Sequence, residues 1–366
     1  MSGLFSGYFN VARHVVIIGA GVIGCATALE LSTAGSRVTL IERGTLGGEA
    51  SWAGAGLLSA LLPWDYRAEV TQLVDASRAL YPEWVQMLRT SGVDPEYRNS
   101  GLLVLPPYDL SKARAWARAG GESLEEIAAR TLEPALAFDT PALWMPQIAQ
   151  VRNPRLLRAL RQLLAQRGVE IREATPVTGW EQTGSRIAGV ETPHGAVKAD
   201  AFIVAAGAWS GTVLGEWGAT LPIKPMRGQI VLYKTAPGRL RRMLYRDGLY
   251  IIPRDDGHVL VGSTLEDVGF DKRVTDAARA SLAQNAAEWL PWLKDTPIVG
   301  HWAGLRPGTP DNMPIIGRHP RIENLFINSG HYRYGVTLAP ASARLLADLV
   351  LDRHSAFDPR PYCWPD

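Results

Sequence analysis

Three glycines, one carboxylate and one arginine are the residues of this chain whose types and spacing could do chemistry. Gly19, Gly21 and Gly24 fit G-x-G-x-x-G within the run GAGVIG. In such a turn the first glycine permits the reversal and the second clears space for a pyrophosphate. The third lets the following helix pack closely on its strand. The N–H groups that open the helix then face the phosphates. Glu42 ends a second apolar stretch about twenty positions further on, where an acidic side chain can take a ribose diol. These residues read as a dinucleotide site, and the turn alone does not distinguish a nicotinamide from a flavin dinucleotide. Arg306, between Leu305 and Pro307, could hold a carboxylate through a bidentate pair, or be solvated or structurally paired. The seven histidines show no metal-ligand spacing. Cys25 and Cys363 are too few for a disulfide framework or a thiolate cluster, and they fit a reducing, cytoplasmic setting.

The elements that must position these residues follow from periodicity. Residues 14–18, HVVII, read as a buried strand, and residues 37–41 as its neighbour. The uncharged run 14–29 behind Arg13 has the outline of a signal peptide. Three glycines in six residues, Glu30 and the second strand argue against that, so neither cleavage nor a membrane span is expected. Residues 1–13 carry no periodicity and no assigned function. The small-residue stretch 44–60 is either a ligand-facing loop or a flexible surface loop. Residues 66–88 predict a helical pair or a helix kinked at Pro82, and residues 101–105 a strand. Ser123 and Glu126 have capping-box spacing for a short helix. Asn153 as N-cap, Pro154 in the first turn and Gly168 beyond the end frame a helix.

Strands are expected over 169–172, 176–181, 187–191, 196–198 and 200–206. The last meets a small-residue turn at 207–210, either a second nucleotide contact or tight strand-to-helix packing. Residues 228–233, 248–253 and 258–263 read as antiparallel, with 254–257 as a hairpin turn and a helix over 275–289. A strand over 324–328 and a helix over 335–351 return to the first pattern. Residues 304–317 and 330–340, rich in glycine and proline yet carrying arginine, read as shaped loops. The fold class is therefore α/β, α+β overall, with a Rossmann-like domain discontinuous in sequence and a second domain on a largely antiparallel sheet. The expected division is 1–62, 142–216 and 300–366 against 63–141 and 217–299. With 366 residues and 38 basic against 36 acidic side chains, two domains and neither a nucleic-acid nor a membrane partner are expected.

Six stretches in joint order carry a resemblance: 19–24 with Glu42, 50–56 (ASWAGAG), 205–210 (AAGAWS), 248–254 (GLYIIPR), 304–317 and 330–335 (GHYRYG). Over about residues 13–351 the chain resembles the flavin-dependent amine and D-amino acid oxidases, most of all their glycine-oxidising, thiamine-pathway branch. The resemblance implies FAD in the first domain. Gly19, Ala20, Gly21, Val22, Ile23, Gly24, Glu42, Arg43, Ala50, Ser51, Ala53 and Gly54 would contact it. So would Val177, against the adenosine, and Ala206, Gly207, Trp209, Gly304, Gly330, His331, Arg333, Tyr334 and Gly335. Tyr250 and Arg306 would bind the substrate carboxylate. The backbone carbonyl of Arg333 would receive the amine, with its side chain at the pocket mouth. Leu265 stands where some relatives carry methionine.

The implied reaction is hydride loss from the substrate Cα to flavin N5, needing no acid or base side chain and no metal, with His331 structural. Glycine, and secondarily sarcosine and small D-amino acids, would give the imine or 2-oxo acid, with dioxygen reduced to hydrogen peroxide. The imine of glycine is what thiazole synthesis for thiamine would consume. No cysteine lies between residues 300 and 351, so FAD is expected to be non-covalent. A homotetramer is implied as well. The alternatives are a D-amino acid dehydrogenase passing electrons to a quinone or carrier, and a flavin-binding protein without amine chemistry.

Overall fold

The β-branched run at the head of the chain forms the strand His14–Ile18 in the computed structural model, which describes residues 13–119 and 123–365. Residues 1–12, read above as an unassigned lead, lie outside the described residues. The strand is internal to a six-stranded sheet, ordered Ile315–Arg318, Leu325–Ser329, Ala201–Val204, His14–Ile18, Arg37–Ile41, Glu170–Arg172. All neighbours are parallel except the first pair. Val15 and Ile17 face a helical layer, Val16 and Ile18 the opposite face. A strand buried on both faces needs a continuous apolar run, which explains why this one lacks alternation. The helices Val22–Thr33, Ala68–Arg89, Asn153–Gln166 and Gly335–Val350 share one core with the first face. The antiparallel strands Gly179–Thr183, Arg186–Glu191 and Val197–Lys198 cover the other. From His14–Ile18 the chain pairs first on one side and later on the other, and such a switch point opens a ligand crevice at the strand C-termini.

The second sheet has eight strands. Its order is Ile298–Gly308, Lys224–Lys234, His258–Gly262, Leu249–Pro253, Met243–Arg246, Leu102–Val104, Pro141–Met145, Glu125–Ala128. All its pairs are antiparallel except Met243–Arg246 with Leu102–Val104. Val231, Tyr233, Val259 and Val261 face a core shared with the helix Asp276–Trp289, whose first turn is capped by Thr275 Oγ1 accepting from Ala278 N at 3.3 Å. The other face turns Ile230, Tyr250 and Trp302 toward a separate cluster.

Several expectations change here. The capping-box spacing at Ser123 and Glu126 does not yield a helix: Glu125–Ala128 is an edge strand on Pro141–Met145, because cross-strand pairing outweighs a local cap. Residues 66–88 form one helix, Ala68–Arg89, with Pro82 inside it. Its Val70, Leu73 and Val74 pack in the core beneath the parallel sheet, so the division at 62/63 separates it from the layer it belongs to. The divisions at 141/142 and 299/300 fall within the strands Pro141–Met145 and Ile298–Gly308. Residues 304–308 are therefore strand and not loop, with Gly304 opposite Gly228 and Arg306 opposite Met226.

The hairpin turn at 254–257 forms, with Gly257 at φ 86° and its N–H donating to Arg254 O at 3.0 Å. Yet Arg254 is only 6% exposed. Its guanidinium donates to Gln150 Oε1, to Val151 O at 2.9 Å and to Ala55 O at 2.7 Å, tying the large sheet to the small-residue stretch. Burial lowers its pKa to about 10, so it remains a cation at neutral pH. We expect Arg254→Met to reduce stability by roughly 3 kcal/mol, read as a lower urea midpoint at unchanged slope, because three buried acceptors lose a charged donor.

Candidate active site

A cavity of about 740 Å³ runs from the glycine turn to the strands Leu249–Pro253 and Ile298–Gly308. At its first end Gly19 has φ 105°, and a Cβ there would stand 2.5 Å from Ala205 O. Gly24 is held still more tightly, since its Cβ would meet Gly19 O at 1.9 Å. Gly19, Gly21, Val22 and Ile23 line the cavity, whereas Ala20 and Gly24 sit behind it. Ala20 acts through its backbone, donating to Glu42 Oε2 at 2.9 Å, while Gly44 N donates to Glu42 Oε1 at 2.9 Å. Glu42 therefore lines the cavity with a fixed carboxylate whose oxygens still have lone pairs to offer.

The small-residue stretch folds as the helix Ala50–Ala53 and the strand Leu57–Leu58. Ala50, Ser51, Ala53 and Gly54 all line the cavity. Ser51 Oγ accepts from Val22 N at 2.9 Å, joining this stretch to the glycine turn. Asn153 is not the N-cap: it is the first residue of Asn153–Gln166, and its buried amide donates to Ser51 O at 2.7 Å. Its tertiary partner has displaced the local one. Val177, Ala206, Gly207 and Trp209 line the same end. The Arg43 guanidinium lies 3.8 Å from the centre of the Trp209 ring and pairs with Glu49 at 2.9 Å. Trp52, 43% exposed, is not a lining residue; it packs edge-on against Trp302 at 5.4 Å.

The C-terminal turn brings His331, Arg333, Tyr334 and Gly335 to the cavity. Gly330, at φ 75°, stands behind it, where a Cβ would meet Thr309 Cγ2 at 2.7 Å. His331 is buried with Nε2 3.0 Å from Ser342 Oγ, and burial takes its pKa down to about 3. It is a neutral ring and not a base. An imidazole whose folded pKa is depressed contributes stability that is complete above its unfolded value of about 6.5 and is lost as pH falls toward 3. We expect His331→Gln to flatten that acid limb in denaturation midpoints measured between pH 7 and pH 4.

At the far end Arg306 projects from its strand into a slot made by the missing side chain of Gly228. A Cβ at 228 would lie 2.1 Å from both guanidinium nitrogens Nη1 and Nη2. Nη1 donates to Thr264 O at 3.2 Å and Nη2 to Ser263 Oγ at 2.6 Å. Among the described residues no carboxylate lies within ion-pair distance of Arg306. Burial lowers its pKa and Tyr250 partly restores it. The Tyr250 hydroxyl stands beside the strand end, 2.8 Å from where a Gly262 Cβ would be. Arg333 is exposed, its guanidinium 5.4 Å from the Tyr332 ring centre, and Leu265 lines the cavity while 47% exposed. Gly228, Ser263 and Thr264 also line the cavity, and none of them stood out in the sequence. Only the strand register could have found Gly228, since it faces Gly304 across a pairing of distant segments.

Among the described residues there is no group of side chains able to hold a metal, and no helix is long and apolar enough to cross a membrane. The family described as FAD dependent oxidoreductase, DAO, matches residues 14–349. Glycine oxidase of Pseudomonas aeruginosa is 49% identical over 96% of this chain and 98% of its own. The bifunctional protein ThiO/ThiG of a Nostoc strain is 35% identical over 94% of this chain and 54% of its own. The crystal structure of glycine oxidase from Geobacillus kaustophilus superposes with a TM-score of 0.90 at 32% identity, covering 96% of this chain and 98% of that one.

Proposed function

The chain belongs to the DAO family of FAD-dependent oxidoreductases, and from that premise we propose that it oxidises the amino group of glycine with dioxygen as the final acceptor. The single observation that carries the substrate reading is Arg306, a cation without an acidic partner among the described residues, at the end of the cavity remote from the glycine turn. The cavity fits FAD. Its volume lies in the range of cofactor pockets, roughly 300–1,000 Å³. Side chains are missing at Gly19, Gly21 and Gly207 along its wall, and Glu42 stands fixed where a ribose would come. The glycine turn, Glu42, Ser51, Val177 and the 330–335 turn would hold it, and neither cysteine lines the cavity, which supports a non-covalent attachment. When bound, FAD supplies the hydride acceptor and returns the electrons to dioxygen, giving hydrogen peroxide.

The chain's own residues then have one task, orientation. The Arg306 fork takes the carboxylate of the amino acid, and the Tyr250 hydroxyl donates to the same group. The backbone carbonyl of Arg333 accepts an N–H of the neutral amine. Held at both ends, the substrate presents its Cα in one direction, and no side chain need shuttle a proton. His331, locked on Ser342, offers none. Sarcosine and small D-amino acids are the secondary substrates, and the likeness to ThiO/ThiG supports a place in the thiamine pathway. The enzyme acts as a cytoplasmic homotetramer in this reading, with the parallel-sheet layers as FAD domain and the eight-stranded sheet as substrate domain.

Mixing the protein with glycine without air should bleach the flavin absorbance, and admitting oxygen should restore it with release of peroxide. Bound flavin that glycine cannot reduce would defeat the proposal. Tyr250→Phe should raise the KM for glycine roughly tenfold with a smaller change in kcat, in steady-state oxygen uptake, since one hydrogen bond to a charged group is lost.

A further inference from the structure

Arg306 donates to Ser263 Oγ and Thr264 O, with Tyr250 beside it, and what fixes Thr264 is a partly buried polar network that enters no step above. Thr264 is gripped from two sides. Its Oγ1 accepts from Gln229 N at 2.8 Å and donates to Glu266 Oε1, and its N–H donates to Gln229 O at 3.3 Å. Gln229 is completely buried and also donates from Nε2 to Glu266 Oε1 at 2.9 Å, while its Oε1 accepts from Thr275 N at 2.9 Å. The other oxygen of Glu266 accepts from Nε and Nη2 of Arg227, which is 5% exposed. Arg227 and Glu266 further exchange both backbone hydrogen bonds, at 2.9 and 3.0 Å, and Arg227 Nη1 donates to Arg273 O at 2.9 Å. The network thus pins both ends of residues 264–275 to the strand Lys224–Lys234, next to the strand that carries Arg306.

Two features make this more than packing. The Glu266 carboxylate is consumed by Arg227, Gln229 and Thr264, so the acidic group nearest in the chain to the Arg306 contacts is kept from neutralising Arg306 itself. The same segment then crosses to the nucleotide side, where Lys272 pairs with Glu49 at 3.0 Å and Phe270 stacks on Trp209 at 5.4 Å. We propose that Thr264, with Glu266 and Gln229 behind it, is a positioning residue for the carboxylate anchor, fixing the direction of the Arg306 fork. This rests on the reading of Arg306 as that anchor.

The test is Thr264→Val in the holoenzyme, an isosteric change that removes the hydroxyl, beside Thr264→Ser, which keeps it. Three quantities are read: kcat and KM for glycine separately, the Kd of acetate from its perturbation of the flavin spectrum, and flavin content. The expected result is that Thr264→Val raises the glycine KM and the acetate Kd together, each about tenfold, with saturating kcat changed less than threefold and full flavin content. Thr264→Ser should restore both constants to within about twofold. Glu266→Gln, which can still accept from Gln229 but no longer offsets Arg227, should move them in the same direction. Unchanged KM and Kd in Thr264→Val would overturn the proposal, as would a loss of flavin or melting temperature that Thr264→Ser does not rescue. Arg306→Ala in the same assay separates the two ideas. If it abolishes acetate binding while Thr264→Val does not disturb it, the anchor stands and the positioning role falls; if Arg306→Ala still binds acetate, the anchor itself is wrong.

Discussion

Arg306→Ala is expected to yield a folded, flavin-containing protein whose kcat/KM for glycine is lower by two or more orders of magnitude. A charged donor pair to a carboxylate contributes about 3 kcal/mol, and each 1.36 kcal/mol is a factor of ten in rate. The fold should survive because the partners left behind are a hydroxyl and a carbonyl, and no carboxylate is stranded. Arg306→Lys should recover about a tenth of the lost rate, since an ammonium restores charge but not the planar fork. Flavin absorbance per chain and peroxide release with glycine measure the two halves of the prediction. Turnover at the parent rate in Arg306→Ala would remove the substrate site.

The second large effect is expected at the opposite end of the cavity. Gly24→Ala adds one methyl group 1.9 Å from Gly19 O, a backbone atom that cannot step aside without opening the turn. The helix Val22–Thr33 must then shift from its strand, at a cost of about 3 kcal/mol or more. Most of the flavin should be lost on purification, and the thermal midpoint should fall. Gly35→Ala is the control: at φ 89° it is strained, but nothing lies within 4 Å of its Cβ, so the cost should stay near 1 kcal/mol with flavin retained. Equal flavin content in the two variants would show that the turn does not seat the cofactor.

Local chemistry in the sequence was enough to place the glycine turn and Glu42 on one wall of the cavity. A β-branched strand, a glycine turn and an acidic residue at the next strand end are consecutive in the chain, and they fold together as written. The Arg306 end of the cavity, the proposed substrate half, was legible only in part. Arg306 announces itself by type, but its glycines looked like loop residues, because the need for Gly228 and Gly304 exists only across a strand pair and against another layer. Asn153 misled for the related reason that its best partner, Ser51 O, is distant in sequence. The Ser123 and Glu126 spacing was overruled by an edge-strand pairing that no local signal announces.

The contact between Gly304 and Ala53 sets a gauge for the whole active site. The strand that carries Arg306 rests on the helix Ala50–Ala53 so closely that a Cβ at 304 would come within 2.6 Å of Ala53 Cβ, and Trp302 Nε1 clamps the same helix through Ala53 O at 3.0 Å. The spacing between the strand that carries Arg306 and the helix on the nucleotide side is therefore set by direct packing and not by loops. Substitutions at 53, 302 or 304 would disturb that packing, whereas the exposed side chains of Leu265 and Arg333, which also line the cavity, have room to change without touching it.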